Sequence, residues 1–163
     1  MITQDDIDAF MPPKPHEKVG DFIRAFSGSL DPRLWIKLID EEMHELSQEP
    51  IGTENHLKEL CDLMYVSTGL SLTSPEHIGM LLRETERKAV LKQQEKVSEE
   101  LERGLGFYGD DVFMEAFARV HNSNMSKLDS NGNPLFREDG KVMKGPNYKK
   151  PNLTDLMSKR NAV

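Results

Sequence analysis

The chain has 163 residues, with 28 acidic against 21 basic side chains and a net charge of −7, a length that suits one all-helical domain over 1–163 with a substantial core. Stable nucleic-acid binding is not expected, because it needs a basic surface. The single cysteine, Cys61, excludes an intrachain disulfide framework. No apolar run long enough to span a membrane occurs and the N-terminus lacks a signal-peptide pattern, so we expect a cytoplasmic protein without membrane contact.

The N-terminal region predicts an arm and then a helix. Three prolines between Pro12 and Pro15 favour a loosely held arm over residues 1–16. Apolar residues at helical spacing predict a first helix from about His16 to Phe26, which Gly28 ends.

The next two helices carry most of the acidic residues of interest. Asp31-Pro32 is typical of an N-cap followed by proline at the first helical position, so a second helix should begin there and end near Pro50. A third helix over roughly 54–72 is apolar on nearly all sides, which predicts a central, buried position.

The following stretch predicts two helices of different character. Residues 75–109 open with a cap-and-proline pattern and lose apolar residues as they proceed, so we expect an inserted, largely solvated helical arm. Asp110 or Asp111 can cap the next helix. Its apolar stripe ends in an amide and an ammonium, in the order Phe113, Phe117, Val120, Asn124 and Lys127.

The C-terminal part, 129–163, predicts a lid or tail. Turn signals at Asn131-Gly132 and Asp139-Gly140 indicate a loop or a small hairpin within 129–150. A short helix should follow from about Thr154.

Acidic residues occupy positions where the second and third helices should bury leucines. In the second helix Glu42 and Glu45 extend a core-facing apolar stripe, and in the third helix Glu59 and Asp62 begin one. Buried carboxylates repel one another unless cations compensate them. Carboxylate oxygens suit hard divalent ions, so the pattern predicts a Mg²⁺ site for a phosphorylated ligand.

Two other interpretations of these acids stay open. They can lie on a solvated face and pair with lysines, for which Lys37 and Lys58 are candidates. A di-iron carboxylate bundle is the other alternative, and its helices carry Glu-x-x-His pairs. Glu41 and His44 have this spacing, but the second acidic run, Glu59 to Asp62, contains no such pair.

The residues at this point resemble a known family. Glu42-x-x-Glu45, 13 intervening residues and Glu59-x-x-Asp62 are similar to the signature of the MazG-like all-α nucleoside triphosphate pyrophosphohydrolases, which include dimeric dUTPases and phosphoribosyl-ATP pyrophosphohydrolase. A second block resembles the C-terminal half of the dUTPase-type branch, with segments at 120–127, 139–144 and 148–151. Residues 75–109 depart from the family, whose members commonly have a short connection there.

The resemblance implies a reaction and roles for the acids. We expect Mg²⁺-dependent hydrolysis of a nucleoside triphosphate, dUTP or another pyrimidine deoxynucleotide, to the monophosphate and pyrophosphate, with Mn²⁺ as a substitute metal. Glu42, Glu45, Glu59 and Asp62 would hold the metal, and Glu41 or Glu42 would accept the proton of the attacking water.

Further residues are candidates for binding the nucleotide. Asn124 can reach ribose, base or a metal-bound water, while Lys127 can reach phosphate. Lys141 and Lys144 belong to the densest basic cluster of the chain and would close over the leaving group. Three aromatic residues are candidates for stacking on the base, although core packing is the commoner role: Phe22, Phe26 and Trp35.

The resemblance also implies an assembly, since single chains of this family do not enclose both sides of the cleft. We therefore expect a helical bundle completed by dimerisation, as a homodimer or homotetramer. Two rival functions remain: phosphoribosyl-ATP hydrolysis, which uses the same metal chemistry, and a non-catalytic helical adaptor that binds through 76–103.

Overall fold

The computed structural model describes residues 15–26, 31–73, 80 and 82–160. This part of the chain is all-helical apart from one small hairpin, as the sequence predicts. The predicted arm before Pro15, Gly28 and the cap at Ser74-Pro75 lie outside the described residues. The helices are α1 (Pro15–Ala25), α2 (Pro32–Gln48), α3 (Glu54–Ser71), α4 (Glu84–Tyr108), α5 (Asp110–Met125) and α6 (Thr154–Arg160).

Helix α3 is the centre of the bundle. It packs against α1, α2, α4 and α5, and this explains why apolar residues surround it on nearly all sides. Leu57, Leu60 and Leu63 are fully buried. The prediction of a central, buried third helix is therefore confirmed.

Side-chain caps place the starts of α2 and α3. Asp31 Oδ1 accepts a hydrogen bond from the Arg33 amide at 2.9 Å, with Pro32 at the first helical position. Thr53 Oγ1 accepts from the His56 amide at 3.1 Å. These caps satisfy amides that the first turn of a helix leaves unpaired.

Helix α4 is the long, charged helix predicted within 75–109, and most of its residues are exposed. It also buries Val97 and Tyr108 and packs on α3 and α5. A glycine makes this contact close: a Cβ at Gly104 would lie 2.1 Å from Leu60 Cδ2. None of the described helices is long and apolar enough to cross a membrane.

The predicted hairpin is present between α5 and α6. Strands β1 (Leu135–Phe136) and β2 (Val142–Met143) pair antiparallel, with Leu135 opposite Met143. Gly140 supplies the turn with a φ of 95°, a backbone conformation that glycine adopts without strain. The turn of the hairpin lies beside α2, where Lys37 Nζ donates to Asp139 Oδ2.

Candidate metal centre and ligand cavities

Acidic side chains from two helices approach one another where α2 packs on α3. Glu42 and Glu45 extend from α2 and Glu59 from α3, and one carboxylate oxygen of each lies within 4.8 Å of the others. We call these three side chains the acidic cluster. Glu42 and Glu59 are buried, whereas Glu45 is exposed. The core-facing stripe predicted for α2 thus holds for Glu42 but not for Glu45, which is rotated by about 60° around the helix.

A lysine connects Asp62 to Glu59 of this cluster. Lys58 Nζ donates to Glu59 Oε1 at 2.9 Å and to Asp62 Oδ2 at 2.7 Å. The interpretation of the acids as lysine-paired is therefore right for Lys58, although Glu59 is buried and not on a solvated face. Lys37, the other candidate partner, donates instead to Asp139 Oδ2 in the hairpin turn at 2.7 Å.

Glu41 anchors the hairpin to α2. Arg137 Nη2 donates to Glu41 Oε1 at 2.7 Å, and Lys141 Nζ donates to Oε2 at 2.9 Å. Burial would raise the pKa of Glu41, but these two hydrogen bonds outweigh it and lower that pKa. The carboxylate of Glu41 consequently faces the hairpin and lies outside the acidic cluster.

Two adjoining cavities open beside the acids. The apolar chamber lies among α1, α2 and α3, and its apolar and aromatic lining is Phe22, Ile23, Leu34, Trp35, Leu38, Tyr65 and Val66. The charged chamber carries ionic side chains on its walls, among them Glu45, Lys58, Arg137 and Lys144. Both chambers share a boundary formed by Glu42, Asp62, Asn124, Lys127, Lys141 and Val142.

Burial shifts the pKa of three ionisable groups at the site, Glu42, Glu59 and Lys127. Desolvation and then the charge of Asp62 raise the pKa of Glu42 to about 8. Desolvation also raises the pKa of Glu59, although Lys58 opposes the change. Across the cavity, desolvation lowers the pKa of Lys127 against the attraction of Asp62 and Glu42. A cation bound beside Glu42 and Glu59 would therefore favour their charged forms, and an anion beside Lys127 would favour its charged form.

The predicted ligand-binding residues divide between the chambers and the core. Asn124 is buried and lines both chambers together with Lys127, so its side chain does not act as an exposed helix cap. Phe22 and Trp35 line the apolar chamber. Phe26 does not; it is buried and stacks on Phe22 with ring centroids 4.4 Å apart. We therefore assign Phe26 to the core.

The two predicted lid lysines also differ in position. Lys141 lies on the boundary between the chambers, 3.9 Å from Glu42 Oε1. Lys144 lines the charged chamber, and its Nζ lies 4.9 Å from the centroid of the Tyr148 ring. Both ammonium groups thus lie on the walls of the charged chamber.

The sequence reasoning missed two residues of the site. Tyr65 lines the apolar chamber, and its hydroxyl lies 2.9 Å from Nδ1 of the buried His121. A signal was present, because Tyr65 follows Asp62 by three residues and so shares its helix face. Arg137 had no such signal, since its partner Glu41 is 96 residues away in sequence.

The donor set of the acidic cluster fits a hard divalent cation. Glu59 Oε2 is buried and has no hydrogen-bond partner among the described residues. A buried carboxylate oxygen without a partner is costly, and a cation ligated by it would remove that cost. Oxygen donors from several carboxylates are those that Mg²⁺ and Mn²⁺ prefer.

Comparisons with protein-family models, with curated proteins and with solved structures found no match to this chain. Conclusions about the site therefore depend on its own residues and their geometry.

Proposed function

We propose that this protein hydrolyses a nucleoside triphosphate to the monophosphate and pyrophosphate, with Mg²⁺ held by the acidic cluster. The observation that carries the proposal is the position of Glu42 and Asp62 between an apolar chamber and a charged one. A nucleotide has the same division, with an apolar base at one end and phosphates that bind metal at the other. The sequence resemblance to the MazG-like hydrolases supports the same reaction.

The apolar chamber suits the nucleobase. Phe22 and Trp35 offer aromatic faces, and rings of this kind stack on bases. Asn124, on the boundary, has an amide that can hydrogen-bond to the sugar or the base.

The charged chamber suits the triphosphate. Lys127, Lys141 and Lys144 line it and can act as point charges for phosphate oxygens. Arg137 lines it too, and a guanidinium matches phosphate with two parallel hydrogen bonds.

Glu42, Glu45 and Glu59 would hold the metal, which when bound neutralises charge on phosphate oxygens and lowers the pKa of a water nucleophile. Of the two candidate proton acceptors we favour Glu42, because cations of the hairpin occupy both carboxylate oxygens of Glu41. Burial raises the pKa of Glu42, so its carboxylate is a stronger proton acceptor than that of an exposed glutamate.

A nucleotide panel tests the reaction. Purified protein is incubated with individual nucleoside triphosphates and with phosphoribosyl-ATP, with and without Mg²⁺, and pyrophosphate release is measured. We expect Mg²⁺-dependent release with a preference for dUTP or another pyrimidine deoxynucleotide. A preference for phosphoribosyl-ATP would identify that compound as the substrate instead. No pyrophosphate release from any compound would favour the adaptor alternative.

A matched pair of variants tests the metal assignment. Glu45→Gln removes one charge of the acidic cluster at an exposed position, where folding should tolerate it. We expect it to lower turnover at least about 100-fold, the cost of removing one charged group that stabilises the transition state. Glu99→Gln makes the same change on an exposed position of α4 and should keep full activity. Equal activity of the two variants would contradict the assignment.

Self-association forms part of the proposal. The hairpin exposes apolar side chains at Leu135, Phe136 and Met143, and exposed apolar groups that lie together favour an interface. Light scattering after size-exclusion chromatography measures the molar mass directly. We expect a dimer or a tetramer. A monomer at working concentration would contradict the proposed self-association.

A further inference from the structure

Lys58 occupies the position of a cation between two acids of the site. Its ammonium lies 2.9 Å from Glu59 Oε1 and 2.7 Å from Asp62 Oδ2. The side chain is mostly buried, with 23% of its surface exposed. It lines the charged chamber together with Asp62 and Glu45. Lys58 is thus a partly buried counterion of Glu59 and Asp62.

The two oxygens of Glu59 have different surroundings. Oε1 accepts the hydrogen bond from Lys58, whereas Oε2 is buried and has no partner among the described residues. Glu59 as a whole has only 8% of its surface exposed. One oxygen is therefore neutralised by the protein, and the other is the atom that lacks a cation.

Asp62 lies outside the acidic cluster, and Lys58 also neutralises one of its oxygens. Its Oδ2 belongs to Lys58, and the three carboxylates that approach one another in the described chain are Glu42, Glu45 and Glu59. Three carboxylates and solvent are enough for one octahedral Mg²⁺, which usually keeps several waters. A second ion between Glu59 and Asp62 would meet the ammonium within ion-pair distance, and like charges that close repel strongly where little water screens them.

We infer that Lys58 is a resident cation that limits this site to one divalent ion. The inference rests on the metal site of the proposed function, but not on its substrate. Removing the ammonium would leave Glu59 and Asp62 as a pair of adjacent carboxylates without a counterion. That pair would then bind a second ion.

Mn²⁺ binding measured by electron paramagnetic resonance and equilibrium dialysis tests the inference without any turnover. Ions bound at the site are counted as the difference between each protein and the same protein with Glu59→Gln, which removes a ligand common to both positions. We expect one ion in the wild type and two in Lys58→Met. In the double variant Lys58→Met with Asp62→Asn the count should return to one. The exposed Lys92→Met on α4 is the matched control and should bind one ion.

The outcomes separate this inference from the proposed function. Two ions in the wild type, or one ion in a folded Lys58→Met protein, would overturn the role of Lys58. Neither result would contradict metal binding by the acidic cluster. No ion in the wild type would overturn both. Circular dichroism checks that the variants are folded. If Lys58→Met does not fold, Lys58→Gln is used in its place. If neither folds, the wild-type count decides, with one ion supporting the inference and two rejecting it.

Discussion

At the scale of single residues, the Glu42 carboxyl combines burial with like-charged neighbours. Its residue exposure is 7%, and desolvation together with Asp62 holds its pKa near 8. A carboxyl of this kind carries a proton at neutral pH unless a cation replaces it. Glu42 thus couples proton binding to the stability of the fold, and a metal ion at the proposed site would be coupled to both.

This link predicts a pH-dependent effect of Glu42→Gln on the metal-free protein. The folded-state pKa lies above the ordinary value of 4.5, so the contribution of Glu42 to stability is fully present below about pH 4.5 and is lost as the pH rises towards 8. The wild type should lose roughly 1 kcal/mol per pH unit in this window relative to the variant. Thermal melts in EDTA between pH 5 and pH 8 measure the difference, which should widen with pH. Glu99→Gln should follow the wild type, and a constant difference would contradict the buried carboxyl.

The buried hydroxyl of Tyr65 leads to a prediction about stability. Its hydroxyl is hydrogen-bonded to His121 Nδ1 and to the Asn124 side chain, while its ring packs on Phe22 and Phe117. Tyr65→Phe keeps the ring packing but leaves two buried polar groups without their partner, so it should destabilise the fold by about 1–3 kcal/mol. Urea unfolding measures the change. Tyr148→Phe, at a half-buried position on the charged chamber, should change stability by less than about 0.5 kcal/mol.

At the scale of elements, the contact between α3 and α4 depends on one glycine. A Cβ at Gly104 would lie 2.1 Å from Leu60 Cδ2, and Leu60 is fully buried, so it has no space to move away. Two residues further along the same helix, a Cβ at Gly106 would meet no atom within 4 Å. The two glycines therefore differ in packing while sharing a helix.

This difference predicts opposite effects of the same substitution. Gly106→Ala should stabilise the protein, by up to about 1 kcal/mol, because alanine is the better helix former. Gly104→Ala gains the same propensity but forces a clash in the core, which costs about 1–3 kcal/mol. Chemical denaturation should place Gly104→Ala clearly below Gly106→Ala. Equal stability of the two variants would mean that α4 does not pack as closely on α3 as described.

Much of the secondary structure was predictable because its signals are local. The caps at Asp31 and Thr53 and the glycine turn at Gly140 lie within a few residues of the elements they start or join. The partners of Glu41 were not predictable, since Arg137 and Lys141 come from the distant hairpin. Periodicity likewise placed Glu42 and Glu59 inside, but it could not show that the bundle opens at Glu45 or that Lys58 takes Asp62 away from the other acids.

At the scale of the whole molecule, the burial of α3 has a source within the chain. Four helices cover it, so its nearly all-round apolar surface does not by itself require a second subunit. Self-association therefore stays a prediction that depends on the family resemblance and on the exposed hairpin. The acidic cluster joins α2 and α3 of this same packed unit. An ion that binds there would therefore stabilise the fold as a whole.

Mg²⁺ should accordingly stabilise the entire fold, and more so at high pH. An ion that binds only the folded state raises the melting temperature by mass action, and it must displace the proton that Glu42 holds below about pH 8. The metal-free protein also loses stability as Glu42 ionises, so the gap between melts with Mg²⁺ and melts in EDTA should be larger at pH 8 than at pH 6. NaCl at matched ionic strength controls for general screening. Glu42→Gln should shrink the gap and remove its pH dependence, whereas a wild-type gap that is the same at both pH values would separate Glu42 from the metal site.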